Sequence, residues 1–303
     1  MSAQRRALIA FTAVLVAGSV TLAGCVTNAD GGGGVPSDVT AGSGDASPRS
    51  DLSALLPAKI KTAGVLVAGV TVPYSPIEYL DSSGRVVGFD VDLLDATAQL
   101  LGLKVQYRQA DFDKIIPAVT AGTYDIGMSS FTDNKLREET VDFVDYFSAG
   151  YLWAAQTGKT VDPDNACGMT VSVQTNSVEQ LDQLPRLSKA CTQAGRPAIK
   201  VLSYDSQDDA TNAVVLGKAD AMSADSPVTA YAIKQTGGKL QQAGQITEAA
   251  PYGWPMVKGS GLVQAMQKAL QALIDNGTYQ KICEKWGLQS GEIKTAAVNG
   301  AAV

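Results

Sequence analysis

A serine pair and an arginine mark the first stretch of this 303-residue sequence that could bind a small charged molecule. Residues 125–143 read DIGMSSFTDNKLREETVDF, where an apolar run opens onto Ser129 and Ser130, and Thr132 and Arg137 follow. A guanidinium is a planar, two-pronged donor to a carboxylate, and hydroxyl groups can fill the remaining lone pairs. These residue types could form an anion site, although an arginine in such a stretch is more often solvated on a helix, and such serines more often form a turn or a helix cap.

A second group of polar residues lies further along the chain. The loop QTNSV occupies residues 174–178, and Asp225 follows the apolar run ADAMSA at 219–224. A carboxylate such as Asp225 can accept hydrogen bonds from an ammonium group, and a backbone N–H at a helix start, such as that of Ser177, can bind an anion. Asp225 also precedes a Ser-Pro pair, so a helix cap explains it equally well.

Two features of the composition exclude classes of function. The sequence contains no histidine, which removes Ser-His-Asp and Cys-His catalysis and nearly all catalytic zinc sites. Its 24 Lys+Arg against 30 Asp+Glu give a net charge of −6, which argues against nucleic acid or an anionic membrane surface as a partner. We expect no catalytic residues, no metal and no cofactor.

Strands alternate with helices through the first half of the chain. Short apolar or alternating runs bounded by Gly and Pro predict the strands, and apolar residues at helical spacing predict the helices. Alternation of this kind is typical of a parallel, doubly wound α/β sheet. The predicted strands are 65–70, 104–110 and 124–128, and the predicted helices begin near Asp90 and span 112–122.

The same pattern repeats after residue 165, so we expect two lobes with a cleft between them. In such sheets ligands lie beyond the carboxyl ends of the strands. Residues 129–130, 174–176 and Asp225 all follow predicted strands, which predicts that they converge on the cleft. The second set comprises strands at 169–174, 199–204 and 219–224, helices around 178–190 and 206–216, an extended run at 251–257, and a final pair of helices.

Three motifs follow one another in a recognisable order: GFDVDL at 88–93, DIGMSS with its arginine and VDF at 125–143, and NGTY with KWG at 276–287. This order resembles solute-binding protein family 3, the bacterial amino-acid-binding lipoproteins and periplasmic proteins that feed ABC importers. The resemblance implies a type II periplasmic-binding-protein fold, in which two doubly wound α/β sheets are joined by two crossing hinge strands. The crossings would lie near 151–156 and 251–257.

The resemblance also implies which residues bind the ligand. The serine pair, Thr132 and Arg137 would meet its carboxylate, Asp225 would meet its ammonium, and two aromatic residues would enclose its side chain. The family loop usually written Q-A-G-T-T falls on residues 174–178. The implied ligand-binding set is Tyr74, Phe112, Ser129, Ser130, Thr132, Arg137, Asn176, Ser177, Val178 and Asp225.

Departures from the family pattern bear on the ligand. Relatives that bind lysine, arginine or histidine commonly carry an acid where this chain has Thr71, which disfavours a cationic side chain. Asn176 replaces the usual glycine and Val178 the second threonine, so the donors in this loop are open. An acidic ligand would need a further cation that the sequence does not reveal. We therefore expect a neutral polar or apolar amino acid, or a close analogue.

The implied function is that of the substrate-binding lipoprotein of an ABC importer. A monomer would capture an amino acid, close around it by hinge motion, and deliver it to a membrane permease and its ATPase. Two other functions share the scaffold. A few relatives dehydrate prephenate or arogenate, which needs a carboxyl of tuned pKa beside the ring, and none beyond Asp225 is evident. The other alternative is a sensor that reports its ligand to a kinase.

The first residues predict export. Two arginines precede an apolar stretch at 7–22, which is shorter than the roughly 20 residues of a bilayer span. The run LAGC at 22–25 resembles the lipobox of bacterial lipoproteins, with an ordinary signal peptide and a chance cysteine as the alternative. We expect a signal peptide over 1–24, a lipid on Cys25 that anchors the protein to the outer face of the cell membrane, and a flexible Gly- and Ser-rich linker over 25–50.

The remaining boundaries complete the predicted domain organisation. Lobe 1 comprises residues 51–153 and 254–290, because the chain crosses between the lobes twice. Lobe 2 comprises residues 154–253. The last residues, 291–303, read GEIKTAAVNGAAV and are expected to be a disordered tail.

Three cysteines lie in the predicted folded body. In an exported chain a pair is expected to be oxidised. Cys167 and Cys191 bracket one strand and one helix, so we pair them. Cys283 has apolar neighbours in YQKICEKWG and is expected to be a buried free thiol. The other pairings remain open.

Overall fold

The computed structural model describes residues 47–302. The predicted signal peptide (1–24), the acylation site Cys25 and most of the predicted linker (25–50) lie outside the described residues. Ser50, the last residue of the predicted linker, begins a helix. Within the described chain, no helix is long and apolar enough to cross a bilayer.

Strands and helices alternate through the first half of the described chain, close to where the sequence predicts them. The helix that starts at Phe89 ends just before Gly102, whose φ of 72° is a conformation that favours glycine. The elements in order are α1 (Ser50–Ser53), α2 (Ala58–Ala63), β1 (Val65–Val70), β2 (Tyr79–Leu80), β3 (Val86–Val87), α3 (Phe89–Leu100), β4 (Lys104–Gln109), α4 (Phe112–Thr120), β5 (Ile126–Gly127), α5 (Lys135–Glu138) and β6 (Val141–Gln156).

The second half repeats the alternation and ends in two helices. A π-helical turn at Glu179–Gln183 precedes the first of its α-helices. The elements in order are β7 (Thr170–Gln174), α6 (Leu184–Gln193), β8 (Lys200–Tyr204), α7 (Gln207–Val215), β9 (Ala221–Asp225), α8 (Ser226–Gln235), β10 (Leu240–Val257), α9 (Gly261–Asp275) and α10 (Thr278–Trp286).

Eight strands form one sheet in the order β4-β1-β5-β10-β6-β9-β7-β8. At one end β1 pairs in parallel with β4 and β5, and at the other β7 pairs in parallel with β8 and β9. The long strands β6 and β10 pair with each other as antiparallel neighbours, and each contributes to both halves of the sheet. The predicted two-lobed α/β fold is confirmed. The two predicted sheets are continuous, because the ladder between β6 and β10 does not stop at the lobe boundary.

The two strands that pass between the lobes are 16 and 18 residues long. The predicted crossings near 151–156 and 251–257 lie within them. Their ladder is interrupted on both sides of Thr247. Gly150 packs closely there, since a β-carbon at this position would lie 2.4 Å from the Thr247 carbonyl oxygen. Such irregularities bend and twist a strand pair locally.

Separate apolar cores support the two lobes. Tyr252 packs in the first-lobe core, although the predicted boundary (154–253) assigns it to lobe 2. Trp153 packs in a core of the second lobe, although the predicted boundary (51–153) assigns it to lobe 1. On a strand, side chains alternate between faces, so the packing around each crossing strand decides which core a side chain enters.

The tail predicted to be disordered (291–303) is ordered through residue 302, so that prediction was wrong. Val298 forms an antiparallel bridge with Val144 of β6. A β-carbon at Gly291 would lie 2.1 Å from the Phe147 ring, so the small residues of the tail permit close packing. Small residues have little hydrophobic periodicity, which is why the sequence pattern did not indicate this contact.

The predicted disulfide is confirmed, since Cys167 and Cys191 are bonded with their Cα atoms 5.5 Å apart. The bond ties the chain just before β7 to α6 and lies at the second-lobe core, where Cys191 is buried. Cys283 is a buried free thiol, as predicted.

Candidate functional site

The three predicted polar points surround one space between the lobes. It is nearly closed, with a cavity volume of about 10 Å³, roughly the room of one water molecule, so admitting a larger molecule requires the lining to move apart. Most of its walls come from loops at the carboxyl ends of β5, β7 and β9. The lining residues are Tyr74, Phe112, Ser129, Ser130, Thr132, Arg137, Gln174, Ser177, Val178, Glu179 and Asp225.

Ser129 and Ser130 follow β5 and have different roles. The Ser129 hydroxyl donates to Glu78 Oε1 (2.8 Å) and accepts from the Thr71 N–H (3.2 Å), so it is used inside lobe 1. Ser130 adopts a left-handed backbone (φ 51°), and its buried hydroxyl has no partner among the described residues. Ser130 therefore offers a hydroxyl to a ligand, while Ser129 holds the loop.

Two buried carboxyls support this loop from behind. Glu78 accepts the Ser129 hydroxyl, and Asp90 Oδ2 accepts from the Ser130 N–H (3.3 Å) and the Tyr146 hydroxyl (2.7 Å). Loss of water raises the pKa of Glu78, and repulsion from Asp90 raises it further. Burial also raises the pKa of Asp90 to about 7. Glu78 thus supports the site through Ser129.

Arg137 reaches from lobe 1 into the space and touches lobe 2. Its Nη1 donates to the Thr132 carbonyl (2.9 Å), and its Nη2 donates to the Asn176 carbonyl (3.1 Å). The guanidinium carbon lies 5.6 Å from the ring centres of Phe112 and Phe131, a cation–π distance. The solvated-helix alternative is wrong, and the remaining N–H groups of the five on a guanidinium are available to a ligand.

Asp225 stands at the start of α8, yet within the described chain its carboxylate makes no cap to that helix. Its Oδ2 instead accepts a hydrogen bond from the Tyr74 hydroxyl (2.7 Å). Tyr74 belongs to lobe 1, so this bond joins the lobes at a second point. The helix-cap alternative is thereby excluded.

The loop at 174–178 contributes mainly through its backbone. Asn176 has a φ of 63°, a left-handed conformation that Asn adopts more readily than other side chains do. Its carbonyl accepts from Arg137, and its N–H donates to Gln180 Oε1 (2.5 Å), while Asn176 itself lies beside the lining. Ser177 and Val178 line the space as predicted.

Sequence reasoning placed Gln174 at the cleft without including it in the ligand-binding set, and it missed one lining residue, Glu179. Glu179 is only 2% exposed, and its Oε1 has no hydrogen-bond partner anywhere between residues 47 and 302. Loss of water raises the pKa of Glu179 to about 8, and repulsion from Asp225 adds to the shift. The available signal was its position, since Glu179 is an acid that directly follows the loop at 174–178.

Burial sets the charge of the other two ionisable lining groups. It lowers the pKa of Arg137 to about 10, although Glu179 and Asp225 favour its charged form. It raises the pKa of Asp225 to about 6, although the Tyr74 hydrogen bond and Arg137 favour its charged form. Near pH 7 the space therefore faces a cationic Arg137, an anionic Asp225 and a largely protonated Glu179.

This arrangement matches the two ends of a free amino acid. Removing a carboxylate or an ammonium from water costs several kcal/mol unless each meets a countercharge and hydrogen bonds. Arg137 and Ser130 from one lobe suit the carboxylate, and Asp225 from the other suits the ammonium. A molecule that satisfied both would connect the lobes.

Comparison with known proteins supports the motif-based resemblance. Residues 66–289 match the family described as bacterial extracellular solute-binding proteins, family 3. The chain is 41% identical over 299 residues to the arginine-binding protein ArgT of Corynebacterium glutamicum, covering 96% of this chain and 95% of the relative.

Solved structures agree over the folded body. An ancestral arginine-binding protein bound to arginine has a TM-score of 0.67 at 32% identity, covering 74% of this chain and 98% of that one. The ancestral amino acid-binding protein AncCDT-1, a precursor of cyclohexadienyl dehydratase, has a TM-score of 0.65 at 31% identity, covering 75% and 97%.

We expect Tyr74→Phe to favour an open form of the ligand-free protein. The substitution removes the bond from Tyr74 to Asp225 across the lobes, and hydrogen bonds to charged groups contribute roughly 1.5–3 kcal/mol. The ratio of closed to open molecules should fall by about tenfold or more. Small-angle X-ray scattering should then report a larger radius of gyration than for the wild type.

Tyr107→Phe is the matched control. It removes a bond of the same kind, from Tyr107 to the Asp95 carboxylate (2.8 Å), within lobe 1. It should lower stability without changing the radius of gyration. Identical scattering from the wild type and Tyr74→Phe would contradict a role for this bond in closure.

Proposed function

This chain belongs to the bacterial extracellular solute-binding proteins of family 3, and from that membership we propose that it captures a free amino acid between its lobes for an ABC importer. One observation carries the proposal: Arg137 and Asp225, from different lobes, line the same nearly closed space. Arg137 would bind the ligand carboxylate together with the Ser130 hydroxyl. Asp225 would bind the ammonium.

Ligand binding would drive closure because only the closed form makes contacts from both lobes at once. A ligand shifts a conformational equilibrium only by its difference in affinity for the two states. The contacts of Arg137 with Asn176 and of Tyr74 with Asp225 both cross between the lobes, so opening breaks them. The closed form would then be the one that a permease recognises.

We propose a cationic ligand side chain, arginine above all, in place of the neutral one that Thr71 suggests. A zwitterion pairs with Arg137 and Asp225 and leaves the buried Glu179 without a partner. A guanidinium or ammonium on the side chain would neutralise an ionised Glu179. The ArgT relative and the arginine-bound ancestral structure support this choice through the ligand that their names state.

A neutral polar ligand is the competing possibility for the same site. If Glu179 keeps its proton, the carboxyl can donate a hydrogen bond to a side-chain amide or hydroxyl. The two possibilities differ in proton release, because only a cationic side chain would ionise Glu179 on binding.

The cellular setting of the proposal follows from the ends of the sequence and from the family. We propose a monomer that is exported, anchored by lipid on Cys25, and partnered by an ABC permease and its ATPase. The mass of the mature N-terminal peptide tests the anchor, since it should carry acyl chains on Cys25.

Dehydration of a prephenate-like acid is a second candidate function because of one observation. Glu179 is a buried carboxyl whose pKa is raised to about 8, and it lines the proposed ligand space. Such a group can act as a general acid. Incubation of the pure protein with prephenate should yield no phenylpyruvate if binding and transport are its only role.

We expect Arg137→Ala to weaken arginine binding by on the order of 2–5 kcal/mol, the range for breaking a buried, hydrogen-bonded charge pair. Arg137 would supply the only lining cation within the described chain that can meet the ligand carboxylate. Isothermal titration calorimetry with L-arginine gives the measurement. Arg186→Ala is the matched control, since Arg186 is exposed and pairs with Asp182 and Glu248; equal losses in both variants would place the site elsewhere.

We expect arginine binding near pH 7 to release close to one proton from Glu179, whose pKa burial raises to about 8. Affinity should therefore increase from pH 6.5 towards 8, by at most about tenfold per pH unit. Calorimetry in phosphate and in Tris measures the release through the difference in observed heats.

Glu179→Gln should abolish this proton release and cost arginine, relative to glutamine, on the order of 2–5 kcal/mol. Asp182→Asn is the control, because Asp182 lies three residues further on, is exposed and pairs with Arg186 (2.9 Å). Unchanged selectivity in Glu179→Gln would assign Glu179 a structural role and favour a neutral ligand.

A further inference from the structure

Residues 292–302, here called the C-terminal strap, cross lobe 1 and end beside the loop that follows β5, residues 128–134, here called the ligand loop. The strap is held first by the last helices, where the Ala296 carbonyl accepts from Gln267 (2.9 Å) and the Ala296 N–H donates to Gln271 (2.9 Å). The Ile293 N–H donates to the Tyr279 hydroxyl (3.0 Å). These contacts direct the strap towards β6.

At β6 the strap pairs as a short antiparallel strand. The Asp145 N–H donates to the Ala297 carbonyl (3.0 Å), and the Asn299 N–H donates to the Phe143 carbonyl (3.2 Å). The Asn299 side chain accepts from the Phe143 N–H (2.8 Å) and donates to Asp142 (2.9 Å). The strap thus occupies the edge of β6 that would otherwise be open in lobe 1.

Two buried carboxyls lie under the end of the strap. Asp133 is 1% exposed and Asp145 is 3% exposed. Asp145 Oδ2 accepts from the Gly300 N–H (3.1 Å), whereas Asp145 Oδ1 and both Asp133 oxygens have no donor in the described part of the chain. Gly253 of β10 pairs with Asp145, and its N–H donates to the carbonyl of Phe131, two residues before Asp133, so the fold brings the two carboxyls together. Two carboxylates cannot bond to each other without a proton between them.

The packing leaves little freedom to this acid pair, Asp133 and Asp145. A β-carbon at Gly253 would lie 2.9 Å from Asp145 Oδ1, and one at Gly300 would lie 2.3 Å from Asp145 Oδ2. Glycines on β10 and on the strap therefore enclose the Asp145 carboxyl from two sides. The Gly300 N–H donates to the pair through Asp145 Oδ2, which favours negative charge there.

Other charged groups around the acid pair are already engaged. Glu138 of α5 repels the pair but binds Lys135 (3.0 Å). Arg137, on the same helix, donates to carbonyls in the ligand space, and Lys258 donates to the Glu138 carbonyl. Asp142 binds the strap through Asn299 and accepts from the Gly259 N–H (2.6 Å). A proton is the remaining way to relieve the repulsion within the pair.

We propose that Asp133 and Asp145 share one proton, and that this shared proton fastens the C-terminal strap to β6 and to the ligand loop. When the proton is lost, two buried carboxylates repel each other beneath the strap. The strap then separates from β6. Of the two segments that enclose the Asp145 carboxyl, β10 is a central strand of the sheet, whereas the strap lies near the end of the chain and can move. The device responds to pH and does not depend on which ligand the protein binds.

The direction of the pH response follows from the environment of the pair. Burial raises the pKa of Asp145 to about 8, and repulsion from Asp133 adds to it; burial raises the pKa of Asp133 to about 6. A carboxyl whose pKa is raised on folding binds its proton more tightly in the folded protein than in the unfolded chain. The stabilisation is therefore present at low pH and is lost as the pH rises through about 8.

The ligand loop is coupled to the pair through its backbone. The Asp133 N–H donates to the Pro251 carbonyl (2.9 Å), and the Gly253 N–H donates to the Phe131 carbonyl (2.8 Å). Thr132 lies between Phe131 and Asp133 in the chain, and its carbonyl accepts a hydrogen bond from Arg137. Loss of the proton should therefore loosen the amides of Asp133 and Gly253 as well as those of the strap.

Amide hydrogen exchange on the full-length protein at pH 6 and pH 9, corrected for intrinsic exchange, tests the proposal. Protection of residues 297–301, Asp133 and Gly253 should fall at least tenfold in the wild type. In Asp145→Asn the carboxamide can donate to Asp133 without a titrating proton, so protection should stay within about twofold. Asp133→Asn should behave in the same way and serves if Asp145→Asn does not fold.

Asp142→Asn is the control, because it weakens the Asn299 contact without touching the acid pair. It should lower protection of the strap equally at both pH values. Equal protection of the wild type at pH 6 and pH 9 would overturn the proposal, as would a pH response that persists in both Asp133→Asn and Asp145→Asn. A change in protection on adding Ca²⁺ at constant pH would also overturn it, since the pair would then bind a cation.

Discussion

The free-energy cost of removing charged side chains from water constrains the structure of the site between the lobes. The space between the lobes faces Arg137, Asp225 and Glu179, and it is nearly closed to water. Taking such groups out of water costs several kcal/mol each, so every one of them must be paired, neutralised by a proton, or satisfied by a ligand. The contacts that cross between the lobes and the proposed recognition of a zwitterion both follow from this requirement.

A second group of buried acids supports the loops that carry the residues lining the space. Glu78 and Asp90 hold the loop that presents Ser130, while Asp133 and Asp145 lie where that loop meets β10 and the C-terminal strap. None of these acids has a basic side chain as a hydrogen-bond partner in the described chain, so burial raises the pKa of each of them. Protons thus take the place of countercharges, and the precise shape of the binding loops depends on them.

Much of the fold could be predicted from the pattern of apolar residues. The strands of each lobe and the stripe of α9 were found because each is a short periodic run bounded by Gly or Pro. The crossing strands were predicted only in part. Residues 141–156 pass from one core to another, so their apolar residues do not follow one regular spacing. The strap was missed altogether, because alanine and glycine carry no periodic signal although they pack closely against β6.

The sequence by itself determined the alternation of strands and helices and the absence of histidine, favoured the Cys167–Cys191 pairing, and through the family resemblance assigned ten residues to one site. Nine of those ten line the space, because the strand ends of both lobes face it. Only the tertiary structure decided that Ser129 faces inward and Ser130 faces the space, that Asn176 contributes its carbonyl, and that Glu179 belongs to the site. Spacing along a chain specifies which residues arrive at an edge. The direction of each side chain, and the water left around it, depend on packing between segments far apart in sequence.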